Sequence, residues 1–152
     1  FMDARQHKFI RHIIDIGKDM TLATIRPDGF PQATTVSYAN EDLVLYVGID
    51  SQSQKARNIR YCNKVSLTIN ASYVDWDDIQ GLSMAATASI LEDPDAIRHA
   101  TQRVMQRYPQ VAKWTGDAAS ESSDIILLEI RPVAVSMLDY RQGFGHTELV
   151  TL

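Results

Sequence analysis

The residues best suited to chemistry lie between Asp50 and Arg60, where hydroxyl, amide and basic side chains are concentrated. Ser51 and Ser53 stand where a helix is predicted to begin, and Lys55 lies in its first turn. The first turn of a helix has unpaired backbone N–H groups and the positive end of the helix dipole. A helix start that brings together hydroxyls, N–H groups and an ammonium group is typical of a phosphate-binding site. The sequence therefore predicts that a phosphate group binds here.

A purely structural interpretation of the same residues is also open. Ser53 is a good N-cap residue, and the basic side chains of Lys55, Arg57 and Arg60 would then form a solvated helix face. The run Thr34–Ser37 on a preceding strand favours the ligand-binding interpretation. Its short polar side chains would leave backbone groups within reach of a planar polar ring. A small anionic ligand is therefore expected.

Residue patterns typical of other kinds of functional site are weak in this sequence. The histidines are dispersed, without a second ligand at helical spacing, and no metal site is predicted; they are His7, His12, His99 and His146. Gly81–Ala85 faintly resembles a nucleophile elbow, but β-type sequence continues past it, so Ser83 is interpreted as a plain strand serine. The aromatic residues of the predicted exposed segments suit loop packing, a dimer interface, or a lid stacked on a flat ligand; they are Tyr73, Trp76, Tyr140 and Phe144.

Length and composition limit the class of protein. The 152 residues, 45% hydrophobic and 22% charged, predict one globular domain spanning 1–152. A formal net charge of −4 argues against a nucleic-acid partner. The sequence shows no bilayer-spanning apolar stretch and no signal-peptide core, so no membrane association is expected. The single cysteine, Cys62, is compatible with the reducing cytoplasm.

The hydrophobic pattern predicts a mainly β protein with three helices. Helices are predicted at 3–16, after Ser53, and from Asp93-Pro94 to Pro109, and strands at 20–26, 32–39, 43–49, 64–70, 80–91, 124–130 and 133–140. The first three strands are expected to form an antiparallel meander, Arg131-Pro132 to separate the last two, and 116–123 to form a polar loop. About six or seven antiparallel strands favour a β-barrel with helical caps, with a sandwich as the alternative.

Several segments, taken in order, resemble the pyridoxamine 5′-phosphate oxidase-like, FMN-binding split-barrel superfamily. They are Leu22–Gln32, Leu43–Val47, Ser53–Arg60 and Asn63–Leu67, followed more weakly by Ala86–Glu92 and Ile130–Val133. The resemblance implies a six-stranded antiparallel split barrel. It also implies a homodimer that holds one FMN in each of two clefts between the subunits.

The resemblance further implies a set of cofactor-binding residues. Ser53 and Lys55, with their neighbours Ser51 and Gln54, would hold the FMN phosphate. Gln32 and the run Thr34, Thr35, Val36 and Ser37 would lie along the ring and ribityl chain, and Val47 and Gly48 near the phosphate. The segment from Trp76 to Gln80 and the C-terminal tail, with Arg141 and His146, would reach the flavin of the partner subunit.

The tail Tyr140–His146 differs from that of the vitamin B6 oxidases, whose longer C-terminal region grips the substrate phosphate. The short chain is more similar to the general-stress-protein branch of the superfamily. The expected function is that of a cytoplasmic, homodimeric FMN-binding oxidoreductase acting on a small-molecule substrate or electron donor. The alternative is a non-catalytic stress or storage protein that binds flavin, deazaflavin or haem. No catalytic residue is assigned.

Overall fold

One antiparallel sheet and three helices make up the fold, as described by a computed structural model for residues 1–111 and 124–152. The helices are α1 (Ala4–Ile16), α2 (Gln54–Tyr61) and α3 (Pro94–Arg107). The strands are β1 (Met20–Ile25), β2 (Pro31–Val36), β3 (Ala39–Glu41), β4 (Val44–Asp50), β5 (Lys64–Asn70), β6 (Gln80–Ile90), β7 (Ile125–Asp139) and β8 (Thr147–Thr151). The polar loop predicted at 116–123 lies outside the described residues.

The helices begin where the sequence places a capping residue. Asp3 caps α1 in a reciprocal capping box with Gln6, and Asp93 caps α3 with Pro94 in the first turn. Gly17 ends α1 at a point of close approach, since an added Cβ there would lie 2.5 Å from both Ile69 Cγ2 and the Tyr38 hydroxyl. With Ser53 at the start of α2, a capping residue stands at the beginning of each of the three predicted helices.

The sheet curls into a split barrel, so the predicted mainly β fold class is confirmed. Its strand order is β2-β1-β5-β6-β7-β4-β3, with β8 added on β7, and every pairing is antiparallel. The described residues therefore contain eight strands rather than six, the additions including short β3 and C-terminal β8. The sheet does not close, because β2 and β3 lie at opposite ends of the strand order.

The predicted three-strand meander is only half right. β1 and β2 form the expected hairpin, but β4 pairs with β7 and β3 rather than with β2. The chain crosses to the far side of the barrel through Tyr38, which is buried and donates its hydroxyl to the carbonyl of Ile14 at 2.6 Å. This crossing separates β2 from β4 and creates the split.

The predicted break between the last two strands was wrong. β7 runs without interruption through Arg131-Pro132, because Pro132 pairs with Ala86 of β6 directly beside a β-bulge, in which Val133 is the extra residue of β7. A proline has no N–H to donate, and a bulge is one of the places where a strand tolerates it.

The core fills the barrel and the space beneath α1. Ile10, Ile13 and Ile14 of α1 are fully buried, and Ala56 and Ile59 of α2 pack against the same core. By contrast, α3 buries only Ala100 completely. Of the helices in the described ranges, none is both long and apolar enough to cross a bilayer.

Candidate functional site

A cavity of about 970 Å³ lies at the split of the barrel. It is bounded by the ends of β2 and β4, the start of α2, one face of α3 and the start of β7. Its size is within the range of pockets that hold cofactors and other small molecules. Among its lining residues are six that the sequence analysis proposed for the cofactor: Thr35, Val36, Ser37, Gly48, Ser53 and Lys55.

Lys55 connects the start of α2 with strand β2. Its Nζ donates a hydrogen bond of 2.9 Å to Thr34 Oγ1, and both side chains are partly buried. The ammonium group has three N–H donors, so two remain for an anion. The two segments that the sequence analysis treated separately, the basic helix and the polar strand, therefore meet at this contact.

Ser53 has the capping role that the structural interpretation assigned to it. Its Oγ accepts from the Ala56 N–H at 3.2 Å and donates to the Asp50 carbonyl at 2.7 Å. The N–H groups of Gln54 and Lys55 in the same first turn have no partner within the helix. Because the Ser53 hydroxyl is already paired, these two N–H groups are the donors that the first turn leaves for a ligand, and together with Lys55 they are here called the anchor.

The two arginines of α2 brace the turn that precedes it. Arg57 Nη1 donates to the carbonyl of Gln52 at 2.6 Å, and Arg60 Nη1 donates to the carbonyl of Ser51 at 2.9 Å. Both arginines are exposed. Residues 50–60 carry three cationic side chains and one carboxylate, Asp50, so the formal net charge of this segment is +2. This charge favours an anion in a chain that is acidic overall.

A group of apolar side chains, here called the apolar wall, also lines the cavity. The wall comprises Ile97, Val104 and Met105 of α3 together with Ile125 and Leu127 of β7. Ile97 and Met105 each keep 36% of their surface exposed, so this face of α3 is not ordinary core. A ligand with an anionic end and an apolar body fits a cavity that is polar and cationic at one end and apolar along its side.

The opposite face of α3 holds the helix in place through polar contacts. Arg103 donates twice to the Asn40 carbonyl, Arg107 donates to the Gly17 carbonyl, and His99 pairs with Glu41 at 2.5 Å. The hydrogen bond from His99 holds the pKa of Glu41 below its usual value. The sequence analysis predicted this helix but assigned no functional role to its apolar face. The position of this apolar face beside a cavity could have been inferred only from the polar residues at one-turn spacing on the opposite face of α3.

The remaining predicted residues lie around the cavity or apart from it. Val47 is fully buried in the core, and Ser51 donates its N–H to the Asp124 carbonyl at 2.6 Å. Gln32 and Gln54 both hydrogen-bond to Asn58, which is also fully buried. These four residues support the cavity and do not line it.

A second group of predicted residues forms a separate cluster, here called the tail cluster, around the end of β7. Gln80 Nε2 donates to Asp139 at 3.0 Å, and Arg141 Nε donates to Asp78 at 3.3 Å. The remaining predicted members are Trp76, which is 66% exposed, and His146. Among the residues that the structure describes, no member of the tail cluster lines the cavity.

Two ionisable groups of this cluster stand out. Burial alone would raise the pKa of Asp139, but hydrogen bonds from Gln142, Gln80 and the Arg141 backbone together hold that pKa below its usual value. His146 Nε2 is buried as an atom, has no hydrogen-bond partner, and lies 3.8 Å from Glu148 Oε2. His146 Nε2 is therefore a buried polar atom of the tail cluster that forms no hydrogen bond within the described part of the chain.

The fold is that of a split-barrel protein, and its cavity lies at the split between β2 and β4. A family model described as pyridoxamine 5′-phosphate oxidase matches residues 8–139. The chain therefore belongs to the pyridoxamine 5′-phosphate oxidase family. Among curated protein sequences, none matches the chain.

Solved structures with the same fold come from several bacteria. A haem-binding protein from Mycobacterium smegmatis superposes with a TM-score of 0.81 at 20% identity, covering 99% of this chain and 60% of its own. The chain thus spans less than two thirds of that protein. A conserved hypothetical protein from Mycobacterium tuberculosis gives 0.74 at 26% identity, covering 100% and 92%. General Stress Protein 26 from Bacillus anthracis gives 0.66 at 23% identity, covering 96% and 98%.

The chemistry of the donor set fits a phosphorylated aromatic cofactor. Lys55 and the two free N–H groups of the first turn of α2 suit a phosphate, and the apolar wall suits a ring system. A haem would need an axial ligand. None of the four histidines, all of which lie in the described part of the chain, lines this cavity.

Proposed function

We propose that this protein binds FMN in the cavity at the split of the barrel and acts as an oxidoreductase on a small molecule. The observation that carries the proposal is that a cationic anchor and an apolar wall share one cavity. Lys55 lies at the anchor, and Ile97, Val104 and Leu127 belong to the wall. Membership of the pyridoxamine 5′-phosphate oxidase family supports a flavin as the occupant.

In this proposal the chain binds and orients the cofactor, and the flavin supplies the electron-transfer or hydride-transfer chemistry when bound. Lys55 and the N–H groups of Gln54 and Lys55 hold the phosphate. Thr35–Ser37 offer backbone and side-chain groups to the ring, and α3 keeps water away from its apolar side. Asp50 and Tyr108 also line the cavity, but no contact assigns either of them a catalytic role.

We also propose that two copies of the chain associate so that the tail cluster of one protomer reaches the cavity of the other. Trp76 and Phe144 support this arrangement, because they are 66% and 84% exposed and large exposed aromatic residues are frequent at interfaces. The predicted roles of Gln80, Arg141 and His146 depend on this association. The cytoplasmic location stays a prediction that rests on the single cysteine.

Haem is the second candidate ligand, for storage or sensing without catalysis. The specific observation in its favour is the unpartnered His146 Nε2, which could serve as an axial ligand in the partner's cavity. One of the similar structures is named as a haem-binding protein. FMN is preferred because the cavity itself has a phosphate anchor and no imidazole among the residues described.

The absorption spectrum of the freshly purified protein, followed by titration with FMN and with haemin, separates the two candidates. Flavin bands in the blue and near-ultraviolet, and saturable FMN binding at one per chain, are expected. A sharp Soret band with His146-dependent haemin binding, and no FMN binding, would overturn the proposal. Bleaching of the bound flavin by NADH or NADPH would then indicate an enzyme rather than a carrier.

A further inference from the structure

Four side chains form a continuous hydrogen-bonded path from the surface of α2 to strand β2. Arg57 Nη2 donates to Gln54 Oε1 at 3.0 Å, and Gln54 Nε2 donates to Asn58 Oδ1 at 2.8 Å. Asn58 Nδ2 donates to Gln32 Oε1 at 3.2 Å and to Thr24 Oγ1 at 2.9 Å. Asn58 and Thr24 are buried almost completely, so the middle of the path is shielded from water.

A path of amides could run in either direction, because each carboxamide accepts through its oxygen and donates through its nitrogen. A guanidinium group can only donate, and Arg57 therefore decides the direction. The Arg57 guanidinium must donate to the side-chain oxygen of Gln54, and the Gln54 nitrogen therefore points toward Asn58. Asn58 must then accept with its oxygen and donate with its nitrogen, and Gln32 must accept in turn.

The consequence appears at Gln32. Its oxygen is occupied by Asn58, and its Nε2 has no acceptor among the described residues. Gln32 lies on β2 two residues before Thr34, the partner of Lys55, and on the strand that continues into the cavity-lining Thr35 and Val36. Gln32 does not itself line the cavity, but its free N–H donors lie on the strand that leads into it.

We propose that Arg57 is a positioning residue that fixes Gln32 as a hydrogen-bond donor, and that Gln32 selects ligands with an acceptor at that place. A ring carbonyl oxygen or an unprotonated ring nitrogen is the matching group. The ligand part of this inference rests on the proposed binding of a flavin, whose ring carries such atoms. The direction of the amide path does not rest on it.

The chain offers a matched pair of variants for the test. Arg57→Glu replaces an obligate donor with an obligate acceptor, so the path should reverse and Gln32 should present its oxygen. Arg60→Glu makes the same charge change on the same helix, also at an exposed arginine that braces the preceding turn, but Arg60 has no contact with the amide path. Arg57→Lys keeps an obligate donor and should behave as the wild type.

The first measurement uses the ligand-free protein and follows hydrogen exchange of the side-chain NH₂ groups by NMR. In the wild type and in Arg60→Glu, the Asn58 NH₂ should exchange slowly and the Gln32 NH₂ rapidly. In Arg57→Glu, one proton of the Gln32 NH₂ should become protected. Exchange that is identical in Arg57→Glu and Arg60→Glu would overturn the proposed role of Arg57.

The second measurement is the affinity for FMN. Arg57→Glu should bind FMN about tenfold more weakly than Arg60→Glu, the effect of one neutral hydrogen bond. A reversed path with equal FMN affinity in the two variants would overturn the role of Gln32 as a ligand contact. If the wild type binds no FMN, the proposed function and that ligand contact both fail, whereas the exchange measurement still decides the direction of the path.

Discussion

Replacement of Lys55 by methionine is the most informative single change at the cavity. Methionine keeps an unbranched apolar stem of similar length but removes the charge and the N–H donors. Lys55 Nζ gives one hydrogen bond to Thr34 Oγ1 at 2.9 Å, which leaves two donors for the ligand phosphate. The substitution therefore removes ligand contacts without opening a cavity in the core.

The expected loss follows from the type of contact. A hydrogen bond to a charged group contributes about 1.5–3 kcal/mol, which corresponds to FMN binding that is about 10 to 150 times weaker. Folding stability should fall by no more than about 1.5 kcal/mol, the net contribution of the lost hydrogen bond to Thr34 Oγ1, because the side chain is not part of the buried core. Quenching of FMN fluorescence on binding provides the titration, and urea unfolding provides the stability.

Lys64→Met is the matched control, since Lys64 is an exposed lysine at the start of β5 and its loss changes the net charge equally. It should leave FMN affinity within about twofold of the wild type, because exposed charges at a distance are screened by salt. Equal affinities in Lys55→Met and the wild type would refute the anchor. Equal losses in the two variants would show a general charge effect instead of a site.

Three further outcomes are expected. Gly48→Ala should leave stability unchanged or slightly raised, because the added Cβ meets Leu127 at an ordinary 3.5 Å, yet it should weaken FMN binding by narrowing the cavity. Unchanged affinity in a titration would place the ligand elsewhere. Gly17→Ala should destabilise the fold by about 1–3 kcal/mol in urea, since its Cβ would lie 2.5 Å from Ile69 Cγ2; wild-type stability would contradict this. Burial raises the pKa of Tyr38 to about 12, against about 10 in the unfolded chain. Folding therefore favours the neutral phenol, and the stability that this preference contributes is complete below pH 10 and is lost as the pH rises to 12. In Tyr38→Phe, the urea midpoint should fall less between pH 10 and 12 than in the wild type.

Local sequence signals predicted the parts of the fold that depend on near neighbours. The caps Asp3, Ser53 and Asp93 mark the three helix starts, and Pro27-Asp28-Gly29 marks the β1–β2 hairpin. Each of these signals acts over a few residues, so it can be recognised without knowledge of the rest of the chain.

Contacts between distant parts of the chain were beyond the sequence pattern. The pairing of β4 with β7 depends on a crossing at Tyr38, and the tolerance of Pro132 depends on a bulge that forms in β7 only when it pairs with β6. The sequence pattern assigns no role to Asn58, although this residue is the buried centre of the amide path. Its role becomes visible only when β1, β2 and α2 are placed together.

The candidate site was predicted in outline because its two halves carry recognisable chemistry. The polar run on β2 and the basic start of α2 meet through Lys55 and Thr34. The apolar wall was missed, because an amphipathic pattern on α3 does not distinguish a helix face buried in the core from one that borders a cavity. The tail cluster could be assigned a role only through the family resemblance.

The central claim is that the start of α2 anchors the phosphate of a bound flavin. Parallel titrations of the ligand-free protein with FMN and with riboflavin, which lacks the phosphate, test it most directly. We expect FMN to bind at least about 100-fold more tightly than riboflavin, since the phosphate would make two or more charge-assisted hydrogen bonds. Equal affinities for the two flavins, or binding of neither, would contradict the claim.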